Sequence, residues 1–244
     1  MTGSTLAGKR ILVTGAGSGI GRGAARLFAA RGAEPILVGR QRAPLEETLA
    51  GAHAVALDHA DDAQVAAFAA GCPELDGMLL NAGQLESGGV EDAPVAVFDR
   101  MIAGNLRGPW LMCHHLGPRL RPGGSVVLVG SNIGIRAIPG MAAYAVAKAG
   151  VHMLARVLAL EWAPRRIRCN AIAPGPIRTD MIEQRLRDSA DPAGELARLS
   201  TVNPLQRLGR EEEIAALAAH LLSDESAWTT GTVIPCDGGA TAVF

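Results

Sequence analysis

Seven short runs dominated by apolar residues recur along the chain, at 11–13, 36–38, 54–57, 78–80, 126–129, 167–173 and 232–235. Their polarity does not alternate, so each reads as a strand covered on both faces. Such strands are parallel, and parallel neighbours need a crossover long enough to hold a helix. Helical patterns lie between them at 20–30, 61–70, 95–120, 142–163 and 211–222. The first ends at Gly32, a good helix stop, and the second and last open on acidic residues. The alternation predicts an α/β fold with a doubly wound, seven-stranded parallel sheet and helices on both faces. No linker, repeat or low-complexity tract divides it, so 1–244 reads as a single domain. The irregular stretch is 174–209, which follows the sixth strand and contains Pro174, Pro176, Pro192 and Pro204. Excursions beyond the carboxyl end of a strand are where such sheets place substrate lids. A lid is expected within about 176–209, with a helical surface insertion as the alternative.

Composition removes several classes of function. A net charge of −1 lacks the basic excess of a nucleic-acid binder. No apolar run approaches about 18 residues, and the stretch MTGSTLAGKR has no apolar signal core, so no membrane partner is expected. Cys72, Cys113, Cys169 and Cys236 form no C-x-x-C pair. That argues against a metal site or disulfide framework and fits a cytoplasmic chain.

The first strand runs into Thr14-Gly15-Ala16-Gly17-Ser18-Gly19-Ile20-Gly21 and then a helix. Helix N-terminal amides attract an anion, and glycines let a pyrophosphate approach them closely. Residues 3–9 also spell G-x-x-x-x-G-K, but Arg10 stands where a magnesium-binding hydroxyl belongs, and the stretch precedes its strand. It is rejected as a triphosphate site. The second strand ends at Gly39-Arg40, where an acidic residue would bind a ribose 2′-hydroxyl; the arginine instead offers a cation to a 2′-phosphate. NADP(H) is favoured on that ground, with NAD(H) left open. Asp58 reads either as an acceptor for the adenine amino group or as the N-cap of the next helix.

Scarcity sharpens the rest. The chain has one tyrosine, Tyr144, and two lysines, Lys9 and Lys148, beside 21 arginines. Tyr144 and Lys148 are an i, i+4 pair and share a helix face. An ammonium near a phenol favours phenolate and so lowers its pKa, which suits proton transfer near neutral pH. Ser131 follows the fifth strand and is placed to hold a carbonyl oxygen, or is a turn serine. Asn105 interrupts a long helix, either to hold a water through its side chain or an opened backbone carbonyl, or as a tolerated polar residue. The adjacent His114 and His115 point apart and lack metal-ligand spacing.

Together these residues resemble the short-chain dehydrogenase/reductase family, in its single-domain Rossmann-type form, over almost the whole chain. Thr14-Gly15-x-x-x-Gly19-x-Gly21 matches its cofactor loop, and Asn81-Ala82-Gly83 its motif after the fourth strand, with Leu80 where a first asparagine often stands. Asn105, Ser131, Tyr144 and Lys148 match its catalytic tetrad in order and spacing. Pro174-Gly175 and Asp237-Gly238-Gly239 match its later turns. The resemblance implies that Tyr144 is the general acid/base and that Lys148 lowers its pKa and binds the nicotinamide ribose. It implies that Ser131 orients the carbonyl and that Asn105 maintains a water relay. Ile177 and Thr179 would lie by the nicotinamide amide, and Asn81 by the adenosine ribose. The activity implied is ketone–alcohol interconversion on a small molecule, in a homotetramer or homodimer paired through the two long helices. The likeness is strongest to ketoreductases of the 3-oxoacyl-carrier-protein type, although Arg107, Arg119, Arg121, Arg165 and Arg166 single out no carrier-protein patch. Gln84, Ile133, Ile135, Ile138, Pro176, Met181 and Ile182 are the pocket candidates, and Arg136 either meets an anionic group or faces solvent. The competing readings are an NAD-dependent alcohol dehydrogenase of the same fold and a non-catalytic cofactor sensor, which would have a broken tetrad.

Overall fold

A computed structural model describes residues 5–243. Seven parallel strands form one sheet: β1 (Arg10–Thr14), β2 (Glu34–Gly39), β3 (His53–Ala56), β4 (Leu75–Leu80), β5 (Leu120–Val129), β6 (Arg168–Pro174) and, last in the chain, β9 (Val233–Cys236). Their order is β3-β2-β1-β4-β5-β6-β9, so the winding reverses between β1 and β4. Ligands of doubly wound sheets bind in the crevice that opens there, beyond the carboxyl ends of the strands.

Both strand faces are apolar because both are covered. Leu12, Met78, Leu80, Val126 and Leu128 face one way and pack with Met112, Val151 and Ala155. Ile11, Val13, Leu79 and Val127 face the other way and pack with Ala24, Phe28, Ile214 and Ala218. The second layer is formed by α1 (Gly19–Ala30) and α9 (Glu211–Leu222), the first by α5 (Gly108–Leu116) and α6 (Ala142–Glu161). By length and composition α6 would serve as a membrane span, which the run-length reading of the sequence had not anticipated. Here one side of it, with Val151 and Ala155, packs into the core.

Several local expectations change. The helix expected over 95–120 is α4 (Val95–Ile102), a π-helical turn over Ala103–Arg107, α5, and a 3-10 turn; Leu120 already belongs to β5. Pro109 explains the break. An α-helix would bond the Asn105 carbonyl to the N–H of residue 109, and proline has none. Two further helices are α2 (Arg42–Thr48) and α3 (Asp62–Gly71). The first was not anticipated: it is about two turns long with a single inward leucine, Leu45. The second starts one residue late because Asp61, not Asp58, is its N-cap, accepting from the Gln64 N–H at 3.0 Å.

The stretch after β6 is helical. It holds β7 (Ile177–Arg178), α7 (Asp180–Asp188), α8 (Pro192–Thr201) and β8 (Gly209–Arg210), with β7 and β8 paired in parallel. Ile182, Leu186, Leu199 and Leu208 give it a small core of its own. Lys9, from the rejected 3–9 stretch, pairs with Asp224 at 2.9 Å; Gly3 of that stretch lies outside the described residues, as do the other ends of the 1–244 span.

Candidate active site

The glycine-rich loop links β1 to α1 at the winding reversal. Gly15 adopts φ +67°, where a side chain is strained. Gly21 leaves no room for one: a Cβ would strike the Gly15 carbonyl and come within 2.7 Å of the Asn81 amide nitrogen. Asn81 and Ala82, at the end of β4, both donate backbone N–H groups to the Thr14 hydroxyl, at 2.9 and 3.0 Å. The Asn81 side chain donates to the Thr14 carbonyl at 3.2 Å, so it braces the two loops. Ser18 is the extended N-cap of α1, and its exposed hydroxyl caps nothing. Ile20 lies half-buried in the first turn beside it.

The loop already meets an oxyanion. The Gly19 N–H donates to the Asp180 carboxylate at 3.4 Å, and Arg22 pairs with the same carboxylate at 3.0 Å. These carboxylate oxygens stand in for the oxygens of a phosphate, which the same amide and guanidinium suit. Sequence reading missed Asp180, because nothing local in Thr179-Asp180-Met181 points to a partner 161 residues away. Beside it Glu211 is pushed above the usual carboxylate value by burial, with Arg22 acting against and Asp180 with that shift. Thr179, the N-cap of α7, rests on Gly19, and Ile177 is buried under it in the core. Pro174 ends β6, and Gly175 packs on the Asp237 backbone, donating to the Cys236 carbonyl at 3.2 Å.

Arg40 follows β2 directly and is exposed, and no acidic group pairs with it among the described residues, whereas Arg42 pairs with Glu46 at 2.7 Å. One Asp58 oxygen accepts the Ala60 N–H at 2.9 Å. The segment after β3 is clamped to the π-helical turn. Arg107 donates to the Ala60 carbonyl, and the His59 ring lies against Gly108. Burial lowers the His59 pKa, opposed by Asp58.

The structure gathers the four tetrad residues into the same crevice. Asn105 is fully buried in the π-helical turn, its amide donating to the Gln84 carbonyl at 2.9 Å and its oxygen accepting the Gln84 N–H at 3.2 Å. Its side chain is therefore spent on the protein, and its backbone carbonyl is the group that Pro109 releases. Gly83 fills the gap between Asn105 and Lys148: a Cβ there would lie 2.6 Å from one and 3.5 Å from the other. Lys148 is buried, and its ammonium donates to the Val129 carbonyl at 2.9 Å and lies 5.7 Å from the centre of the Tyr144 ring. Burial lowers its pKa to about 8. Burial likewise raises Tyr144, with a hydrogen bond from the Ser131 hydroxyl pulling the other way. Lys148 has no resolved part in that shift, so in the absence of cofactor the direction for the phenol is upward and burial sets it.

Other expectations separate. Ile182 is buried in the insertion's own small core, while Ile135, Ile138 and Met181 are exposed. Arg136 donates to the Ala240 carbonyl at 2.7 Å. His115 meets Asp62 at 2.7 Å and His114 stacks on Trp110.

The chain is similar to known proteins over nearly its whole length. A family model described as enoyl-(acyl carrier protein) reductase matches residues 15–241. Levodione reductase of Leifsonia aquatica is 38% identical, over 96% of this chain and 94% of the relative. A crystal structure of levodione reductase superposes with a TM-score of 0.88 at 37% identity, covering 97% of this chain and 98% of the other. The aldohexose dehydrogenase of Thermoplasma acidophilum superposes with a TM-score of 0.90 at 28% identity, covering 99% and 97%.

Gly21→Ala should leave the sheet folded by circular dichroism and weaken dinucleotide binding about tenfold or more in a fluorescence titration. Unchanged affinity would show that this loop does not carry the phosphates.

Proposed function

The chain belongs to the short-chain dehydrogenase/reductase family of NAD(P)(H)-dependent oxidoreductases acting on CH–OH groups, and from that premise we propose that it interconverts a small-molecule ketone and secondary alcohol, with NADP(H) preferred. The observation that carries this is the meeting of the Ser131 hydroxyl, the Tyr144 phenol and the Lys148 ammonium beside the glycine loop. When bound, the cofactor supplies or accepts the hydride at its nicotinamide.

The chain's own residues hold the carbonyl and manage one proton. In the reductive direction Ser131 donates a hydrogen bond to the carbonyl oxygen, and Tyr144 gives that oxygen its proton. Burial keeps the phenol protonated at neutral pH, which is the form reduction needs. In the oxidative direction Tyr144 must first lose its proton, and the Lys148 ammonium is the nearby charge that favours this. The Asn105 carbonyl, left without an N–H partner at Pro109, would serve as an acceptor for a relaying water. Gly15, Ser18, Gly19, Ile20 and Gly21 would take the pyrophosphate, and Asp58, Asn81, Ala82 and Gly83 the adenosine half. Pro174, Gly175, Ile177 and Thr179 would take the nicotinamide half, with Lys148 and Tyr144 on its ribose. The exposed Arg40, with no acidic partner among the described residues, supports a 2′-phosphate. The insertion within 176–209 is read as the lid, since Asp180 and Thr179 already connect it to the glycine loop.

A homo-oligomer is part of the same reading. Val146, Met153, Val157 and Leu160 form an exposed apolar stripe along α6, and Phe98 and Trp110 are exposed on α4 and α5. Such a patch fits burial against a second copy.

Tyr144→Phe should cut kcat by about 10²–10⁴ on a ketone and alcohol panel while leaving cofactor binding intact, and full turnover would sink the mechanism. Arg40→Asp should shift the kcat/KM ratio toward NAD(H); equal or better use of NAD(H) by the wild type refutes the preference. As the sole tyrosine, Tyr144 alone reports in an ultraviolet phenolate titration, and without cofactor its midpoint should lie above the ordinary value of 10. A midpoint below it contradicts the burial argument.

A further inference from the structure

Three consecutive residues at the end of β5 are each pinned from behind. The Val129 carbonyl accepts from Lys148, the Gly130 N–H donates to the Ile172 carbonyl at 2.7 Å, and the Ser131 N–H donates to Nε2 of His152 at 3.4 Å. His152 lies one turn beyond Lys148 and two beyond Tyr144 on α6, and is 5% exposed. Its ring fills a slot that exists only because positions 130 and 134 are glycine. A Cβ at Gly130 would collide with Nε2, and one at Gly134 would come within 2.8 Å of Cε1.

We propose that His152 is a positioning residue for the reaction: its unprotonated Nε2 and its fit between Gly130 and Gly134 fix the loop that aims the Ser131 hydroxyl at the substrate oxygen. This rests on the reading of Ser131 and Tyr144 given above. Accepting the Ser131 N–H requires a lone pair on Nε2, which puts the ring proton on Nδ1. The environment maintains that neutral form. Burial and then Lys148 lower the imidazole pKa to about 4, with the Gly134 backbone acting against them and Arg156 with them. Sequence reading passed over His152 because a lone histidine on an apolar helix face reads as packing, and its two glycine partners lie on another element.

The test is a double-mutant cycle with a hydrogen-exchange arm. His152→Leu keeps bulk and loses the acceptor, whereas His152→Gln places an amide oxygen near the Nε2 position. Expected for the leucine variant is a fall in kcat of about 10–100-fold with unchanged cofactor affinity, and recovery of most of it by glutamine. In a Ser131→Ala background the leucine change should cost less than about threefold more, since it acts through Ser131. Amide exchange across 130–134 should quicken about tenfold in the leucine variant and not in the glutamine one. Multiplicative losses in the cycle, unchanged exchange, or glutamine no better than leucine would each overturn the proposal. If the leucine variant does not fold, His152→Asn replaces it, because its amide reaches the Nδ1 position and not Nε2. If the wild type turns over no ketone or alcohol, the functional reading fails, and the exchange arm alone then decides the role of His152.

Discussion

The crevice depends on one threonine. Thr14 is buried at the end of β1, and its hydroxyl accepts two N–H groups from the loop that leaves β4. Asn81 returns the contact through its side-chain amide. These bonds set the gap between the two loops where the winding reverses, and they sit in the interior, where an unmet N–H would cost about 1–3 kcal/mol. With that gap fixed, Gly15 and Gly21 can approach each other only as glycines. At the start of α1 the Gly19 amide is then left open to an oxyanion, the place the Asp180 carboxylate holds here.

From that fixed edge the reactive groups follow through hydrogen bonds to backbone more than to one another. Lys148 reaches the Val129 carbonyl, Asn105 embraces both backbone groups of Gln84, and the phenol meets Ser131. Lys148 and Tyr144 are therefore both tied to the end of β5, and Asn105 to the loop after β4. Their mutual geometry is inherited from the sheet, which suits a reaction in which alignment carries much of the barrier reduction.

Features set by nearby residues were legible in the sequence. The seven strands, the glycine loop and the Tyr144–Lys148 pair depend on spacing within a few residues, and the fold, family and enzyme class follow from them. The π-helical turn was half legible. Asn105 was singled out, but Pro109, four positions on, was the signal that its carbonyl is freed. Asp58 and Asp61 compete for one cap, and only the bond from Gln64 to Asp61 separates them. The direction of the Tyr144 shift was not legible, because desolvation is a property of everything packed around the ring. Nor was the Asp180 carboxylate at the glycine loop, which is brought there by the insertion's own fold.

Helix α6 has two faces with different duties. One presents Tyr144, Lys148 and His152 to the crevice, and the other presents Val146, Met153, Val157 and Leu160 outward. A helix is about 10 Å across and close to rigid along a few turns. A shift imposed on the outer stripe therefore displaces the phenol by a similar amount, and about 1 Å is enough to cost roughly two orders of magnitude in rate. A neighbour seated on that stripe would therefore act as part of the frame that holds Tyr144, without entering the crevice.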